Sequence, residues 1–171
     1  MPTLGKGVCS IPSFAKAIHK LSNEFNIIVR PHPIAFRDDI TNIELLRSYS
    51  FNIDSNDTRD MNVLYSFADY VICDYGGTAF SALYLDKNLI LLNVDGSETW
   101  YTSKNSSDME LRKLLSPVIS VEDSDNLAKI INDKNLWDTQ IKQRATAFKK
   151  FFAPYRGTST KRVVNLLREL P

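Results

Sequence analysis

Residues 71–93 read VICDYGGTAFSALYLDKNLILLN. An apolar run, Val71-Ile72-Cys73, stops at Asp74, and Tyr75, Gly76 and Gly77 follow. A helix-like segment from about Thr78 to Tyr84 comes next, and then a second apolar run, Leu89 to Leu92. Short, continuously apolar runs suit strands buried on both faces, as in parallel sheets. Strand, glycine turn, helix and strand in that order make a β–α–β unit.

The same alternation extends in both directions. Upstream, Ser10 is placed to cap a helix starting near Ile11, with Pro12 in its first turn. NIIVR (26–30) reads as a short buried strand ended by Pro31-His32-Pro33. A helix is expected over 38–48 with Ile40, Ile43, Leu45 and Leu46 inward, then a weak strand at Phe51–Ile53. Asp60 caps MNVLYSFA, and Tyr70 to Cys73 is the next strand. Downstream, Gly96 to Ser107 is a polar loop, 111–115 helical and Val118–Val121 a strand. Helices at 123–132, 136–150 and 159–169 close the chain. The expected fold is therefore α/β: one Rossmann-like, doubly wound parallel sheet with helices on both faces. At 171 residues a single domain is expected.

Composition narrows the function classes. The formal net charge is +1 and basic residues are not interleaved with aromatics, so nucleic acid is not indicated as a partner. No apolar stretch approaches the ~20 residues of a membrane helix. The N-terminal MPTLGKGVCS lacks the apolar core of a signal peptide. The only cysteines, Cys9 and Cys73, form neither a CxxC motif nor a disulfide framework. No histidines or cysteines have metal-ligand spacing, and no nucleophile elbow or Cys–His pair stands out. A cytoplasmic location is expected, with peripheral attachment to the membrane's inner face through a segment outside the chain left open.

Three clusters can carry chemistry. Gly76, Gly77 and Thr78 lie where a strand hands over to a helix, and a helix start offers unpaired N–H groups to an anion. The plainer alternative is a tight turn and nothing more. Arg30-Pro31-His32-Pro33 mounts an imidazole between two prolines at the carboxyl end of a strand. His32 is the candidate acid, base or phosphate donor, and Arg30 a bidentate phosphate ligand. The alternative there is a polar residue in a proline turn. His19 is expected at the surface. Finally, Gly157 precedes Thr158, Ser159 and Thr160 at the start of the last helix, suiting a second phosphate or an ordinary cap.

In their order along the chain these residues resemble a known family. PT-x-G stands near the start and RPHP follows the second apolar strand. ADYVICDYGGTAF-x-x-x-x-LDKNLILLN comes next, and F-x-x-x-x-x-G-x-[ST]-x-x-R ends the pattern. The chain resembles the C-terminal half of the CDP-glycerol glycerophosphotransferases, teichoic-acid polymerases and primases of the GT-B fold. The resemblance implies that this half binds a CDP-alcohol donor, CDP-glycerol or a relative, as substrate, with no cofactor required. It implies that His32 lies near the donor pyrophosphate or reacting phosphate. Asp74, Gly76, Gly77 and Thr78 would form the phosphate-binding turn, and Thr158 and Ser159 would face phosphate from the last helix start.

Two departures bear on that implication. The family's D-Y-S-S turn has Gly76 and Gly77 in place of its serines, and double glycine also occurs in UDP-N-acetylglucosamine 2-epimerases. A UDP-sugar-binding module therefore stays open as the alternative. The GT-B fold also needs a second, acceptor-binding domain, and 171 residues hold only one. The expected unit is a fragment or donor-binding subunit, poorly active alone. An acceptor-binding domain or subunit and a polymer acceptor are its partners, and its first strand precedes Pro2. A flavodoxin-like or response-regulator reading, with Asp74 as phosphoacceptor or FMN in the loops, lacks the acidic pair that PTLGKG would have to supply.

Overall fold

The computed structural model describes residues 9–94, 103 and 105–170. The N-terminal PT-x-G loop and most of the polar loop after Val94 lie outside the described residues. Helices and strands alternate as expected: α1 (Ile11–Lys20), β1 (Ile28–Val29), α2 (Ala35–Asp38), α3 (Ile40–Ser48), β2 (Asn52–Ile53), α4 (Met61–Phe67), β3 (Tyr70–Cys73) and α5 (Gly77–Tyr84). Then come β4 (Asn88–Leu92), α6 (Ser107–Leu114), β5 (Val118–Ile119), α7 (Leu127–Ile131), α8 (Lys134–Phe151) and α9 (Ser159–Glu169). Every strand pairing is parallel, which makes the fold α/β and Rossmann-like.

The centre is β4. Leu89, Ile90, Leu91 and Leu92 are all fully buried. Because side chains alternate across a strand, the run serves two cores at once. Ile90 and Leu92 pack with Phe14, Leu21, Leu127 and Trp137. Leu89 and Leu91 pack with Ala79, Leu83, Leu111 and Ala147. Helices thus cover both faces of β3–β4–β5. Burial pushes the Cys73 thiol up to about 11, as befits a small core side chain. At the amino end of β4, α8 supplies a polar clamp. Gln140, wholly buried, accepts from the Leu89 N–H (2.9 Å) and donates to the carbonyls of Leu89 (2.7 Å) and Ser116 (2.6 Å). Arg144 pairs with Asp86 at 3.0 Å beside it.

Several local expectations are corrected. The strands do not form one continuous sheet: β1–β2 and β3–β4–β5 are separate, and among the described residues β1 and β3 are not hydrogen-bonded to each other. NIIVR contributes only a two-residue strand, with Ile28 52% exposed. The helix expected over 38–48 breaks at Asp39, where φ is −139°, so Ile40 faces solvent while Ile43 and Leu46 are buried. Ser10 makes no side-chain cap; its backbone N–H donates instead to Asp74 Oδ2 at 3.0 Å, tying the start of α1 to the end of β3. Asp60 does cap α4, through the Asn62 N–H at 2.9 Å.

Candidate functional site

Three of the clusters singled out above follow the carboxyl ends of strands, where open α/β sheets hold ligands. Their side chains do different work from one another.

At the end of β3 the chain must turn sharply into α5. Gly76 does this with φ +95° and ψ −164°, a conformation essentially restricted to glycine. Gly77, the first residue of α5, is exposed, and a Cβ built on it would meet nothing within 4 Å. Open space therefore stands in front of the helix start, where backbone N–H groups have no partner one turn back. Thr78 is half-buried, and its carbonyl accepts from the Tyr65 hydroxyl at 3.5 Å. Asp74 is fully buried and holds the Ser10 N–H, so its carboxylate braces the turn from below.

The turn rests on a buried pair from α6. Asp108 Oδ1 accepts from the Gly76 N–H at 2.7 Å. Arg112, one helical turn on, lies 3.8 Å from the same carboxylate. Its guanidinium also donates to the carbonyls of Asp74 (2.8 Å) and Leu92 (3.0 Å) and stacks 4.0 Å over the Tyr75 ring. Tyr75 in turn donates to Asn93 Oδ1 at 2.9 Å. The carboxyl ends of β3 and β4 are thereby knitted together. Burial pushes the Asp108 carboxyl above its ordinary range, and the Gly76 N–H and Arg112 only partly oppose it.

At the end of β1, Pro31 is fully buried and His32 half-buried. His32 Nδ1 accepts from the Ile34 N–H at 3.3 Å. That bond needs a bare Nδ1, so in the neutral ring the proton sits on Nε2. The His32 carbonyl accepts from Ala35 N–H at 2.8 Å, which fixes the turn into α2. The ring is oriented by its own backbone and presents Nε2 as a donor. His19 is exposed as expected, against Tyr49 and Phe51.

Arg30 does something other than the phosphate contact expected of it. It is 7% exposed, lies 3.0 Å from Asp54 and donates to the carbonyls of Asp54 and Asn56. Arg59 reaches the same carboxylate at 3.0 Å. Burial raises the Asp54 carboxyl, but the Asn56 N–H, Arg30 and Arg59 outweigh it and hold it below the ordinary range. Arg30 is a brace between the ends of β1 and β2, and that brace sets where His32 begins.

The third cluster is not brought to the glycine turn. Thr158 and Ser159 do not cap α9; their hydroxyls donate back to the Tyr155 carbonyl at 3.2 and 2.8 Å. Thr160 is exposed. The preceding Arg156 stacks on Phe148 at 4.1 Å and donates to the Leu83 carbonyl at 3.4 Å. Leu83 lies at the far end of α5 from Gly77, and eight residues of helix span ~12 Å. The last helix start therefore sits beside the opposite end of α5 from the open turn.

The family model described as CDP-glycerol:poly(glycerophosphate) glycerophosphotransferase matches residues 10–169. The chain belongs to that family. Comparison with curated proteins and with solved structures finds no match. The glycerophosphotransferase match takes in His32, the double-glycine turn and the α6 pair alike. Sequence reasoning passed over that pair because the polar run before Ser107 reads as loop, so α6 was expected only from residue 111. The signal was present: Ser106 caps α6 through the Met109 N–H at 3.2 Å, and Asp108 and Arg112 stand at i and i+4.

Proposed function

We propose that the chain is the donor-binding part of a CDP-glycerol glycerophosphotransferase. The donor's diphosphate lies over Gly77 and Thr78, with His32 beside the reacting phosphorus. An acceptor hydroxyl attacks the distal phosphorus. A new O–P bond forms while the bond from that phosphorus to the CMP oxygen breaks, so CMP leaves and a phosphodiester remains. The helix start and the His32 Nε2–H stabilise the charge that develops on the departing phosphate. The hydroxyl proton passes to a base on the acceptor-binding part. That part, as domain or subunit, and a polymer of the teichoic-acid type complete the reaction on the cytoplasmic side of the cell membrane. Thr158, Ser159, Thr160 and Arg30 drop out of the donor contacts in this reading.

The observation that carries the proposal is the open space before Gly77, at a helix start, within the segment that matches the family. A thermal-shift panel of CDP-glycerol, CDP-ribitol, CMP, UDP-N-acetylglucosamine and FMN tests it. The cytidine nucleotides should stabilise the chain, by ~2.7 kcal/mol at a hundred times Kd. His32→Ala should keep the melting temperature, lose the shift with the CDP-alcohols, and transfer about 100-fold more slowly beside the acceptor-binding part. A shift confined to the UDP-sugar would favour the nucleotide-sugar module, to which the glycines in place of serines point. No shift with any nucleotide overturns donor binding.

A further inference from the structure

Between the two sheets lies a cavity of about 600 Å³. Its sides are the strand edges themselves, Asn26–Arg30 on one and Tyr70–Cys73 on the other. Its faces are two helices: Ile11, Ala15 and Ile18 of α1, and Met61, Leu64 and Tyr65 of α4. Among the described residues, β1 pairs only with β2, and β3 only with β4. Each therefore turns the N–H and C=O groups of one edge toward the cavity. Two strand edges and two helical faces are the four surroundings of an inner strand in a doubly wound sheet.

The order of the strands points the same way. From the cavity outward the chain runs β1 then β2 on one side, and β3, β4, β5 on the other. Strand order reverses across the gap, as it does around the inner strand of a six-stranded doubly wound sheet.

We propose that this groove is a slot for one more β-strand, parallel to β1 and β3, contributed by the polypeptide upstream of residue 1. Four or five residues match the four of β3. Faces lined by aliphatic side chains on both sides select Val, Ile and Leu. The direction follows from α1. Ser10 and Ile11 line the cavity, and the Ser10 N–H is fastened to Asp74 at the carboxyl end of β3. A chain arriving there has completed a strand that runs the same way as β3. It then returns through α1 into β1 next door, the right-handed β–α–β connection. Residues 2–7, PTLGKG, are too rich in Pro and Gly to be that strand and suit the loop after it. The inference is independent of which nucleotide the glycine turn holds.

The test compares this chain with two longer forms. One carries the residues encoded immediately upstream, and one carries a grafted six-residue Val/Ile strand on a Gly-Ser linker. Amide hydrogen exchange at residues 28–29 and 70–73, ANS fluorescence and light scattering are read on all three. The expected result is at least tenfold slower exchange at those amides in one or both longer forms, with ANS binding lost and the mass still monomeric. Two outcomes overturn the proposal. One is unchanged exchange and ANS binding in both longer forms. The other is protection already present in the shorter chain together with a doubled mass, which would give the groove to a second copy.

Discussion

Each sheet ends in a buried arginine–carboxylate pair, and the two pairs differ. At the end of β1–β2, Asp54 receives two arginines, each at 3.0 Å, and is held ionised. At the end of β3–β4, Asp108 has one arginine at 3.8 Å, whose donors go mainly to the Asp74 and Leu92 carbonyls. The first pair joins two short loops of a small, open sheet. The second supports a turn whose N–H groups are wanted for something else. Asp108 holds the Gly76 N–H and leaves the start of α5 facing open space. A carboxylate held close by two cations makes a rigid joint. One shared with a backbone amide positions a loop without filling it.

Four measurements sharpen the contrast. Arg112→Met should cost the most, about 3–5 kcal/mol in urea unfolding, because it strands Asp108 and two buried carbonyls. Arg30→Met should cost distinctly less, since Arg59 still holds Asp54. Equal losses would erase the distinction. Next, Leu91→Ala should lose about 2–5 kcal/mol, whereas Val29→Ala in the open sheet should lose well under half as much. Gly76→Ala forces a side chain into φ +95° and should cost about 1–3 kcal/mol, with nucleotide binding falling alongside. A wild-type melting temperature would mean that the turn relaxes easily.

The smallest effect is a pH dependence. The Asp108 carboxyl is raised by folding, so the folded state binds its proton more tightly. Its contribution is full below the unfolded value of ~3.9 and is lost as pH rises through the folded value. Asp54 is lowered, so its contribution is present above ~3.9 and is lost as pH falls through its folded value. Asp108→Asn keeps an acceptor for the Gly76 N–H and should flatten the stability curve on the side above pH 4 only. Flattening on both sides would mean that the two carboxylates are coupled.

Much of this was legible in the chain. All five strands were, because continuously apolar runs such as NLILL admit few other readings. So were the glycine turn and the proline-braced His32, since each depends on a backbone property of its own residues. What escaped reading depends on partners remote in sequence. Nothing near Arg30 announces Asp54, and nothing in SDMELR announces Gly76, 32 residues earlier. The hydroxyls of Thr158 and Ser159 look like caps until the Tyr155 carbonyl is seen to accept from them. The separation of the two sheets could not be read from strand sequences at all, because register belongs to the pair and not to either member.

The Gln140 amide gives Leu89 both halves of a ladder rung from 51 residues away. On a ribosome adding ~5–20 residues per second, that rung waits about 3–10 s after Leu89 has been made. Throughout that interval the most apolar strand of the molecule has its amino end open, which makes the delay before α8 emerges the moment at which a chaperone has most to protect.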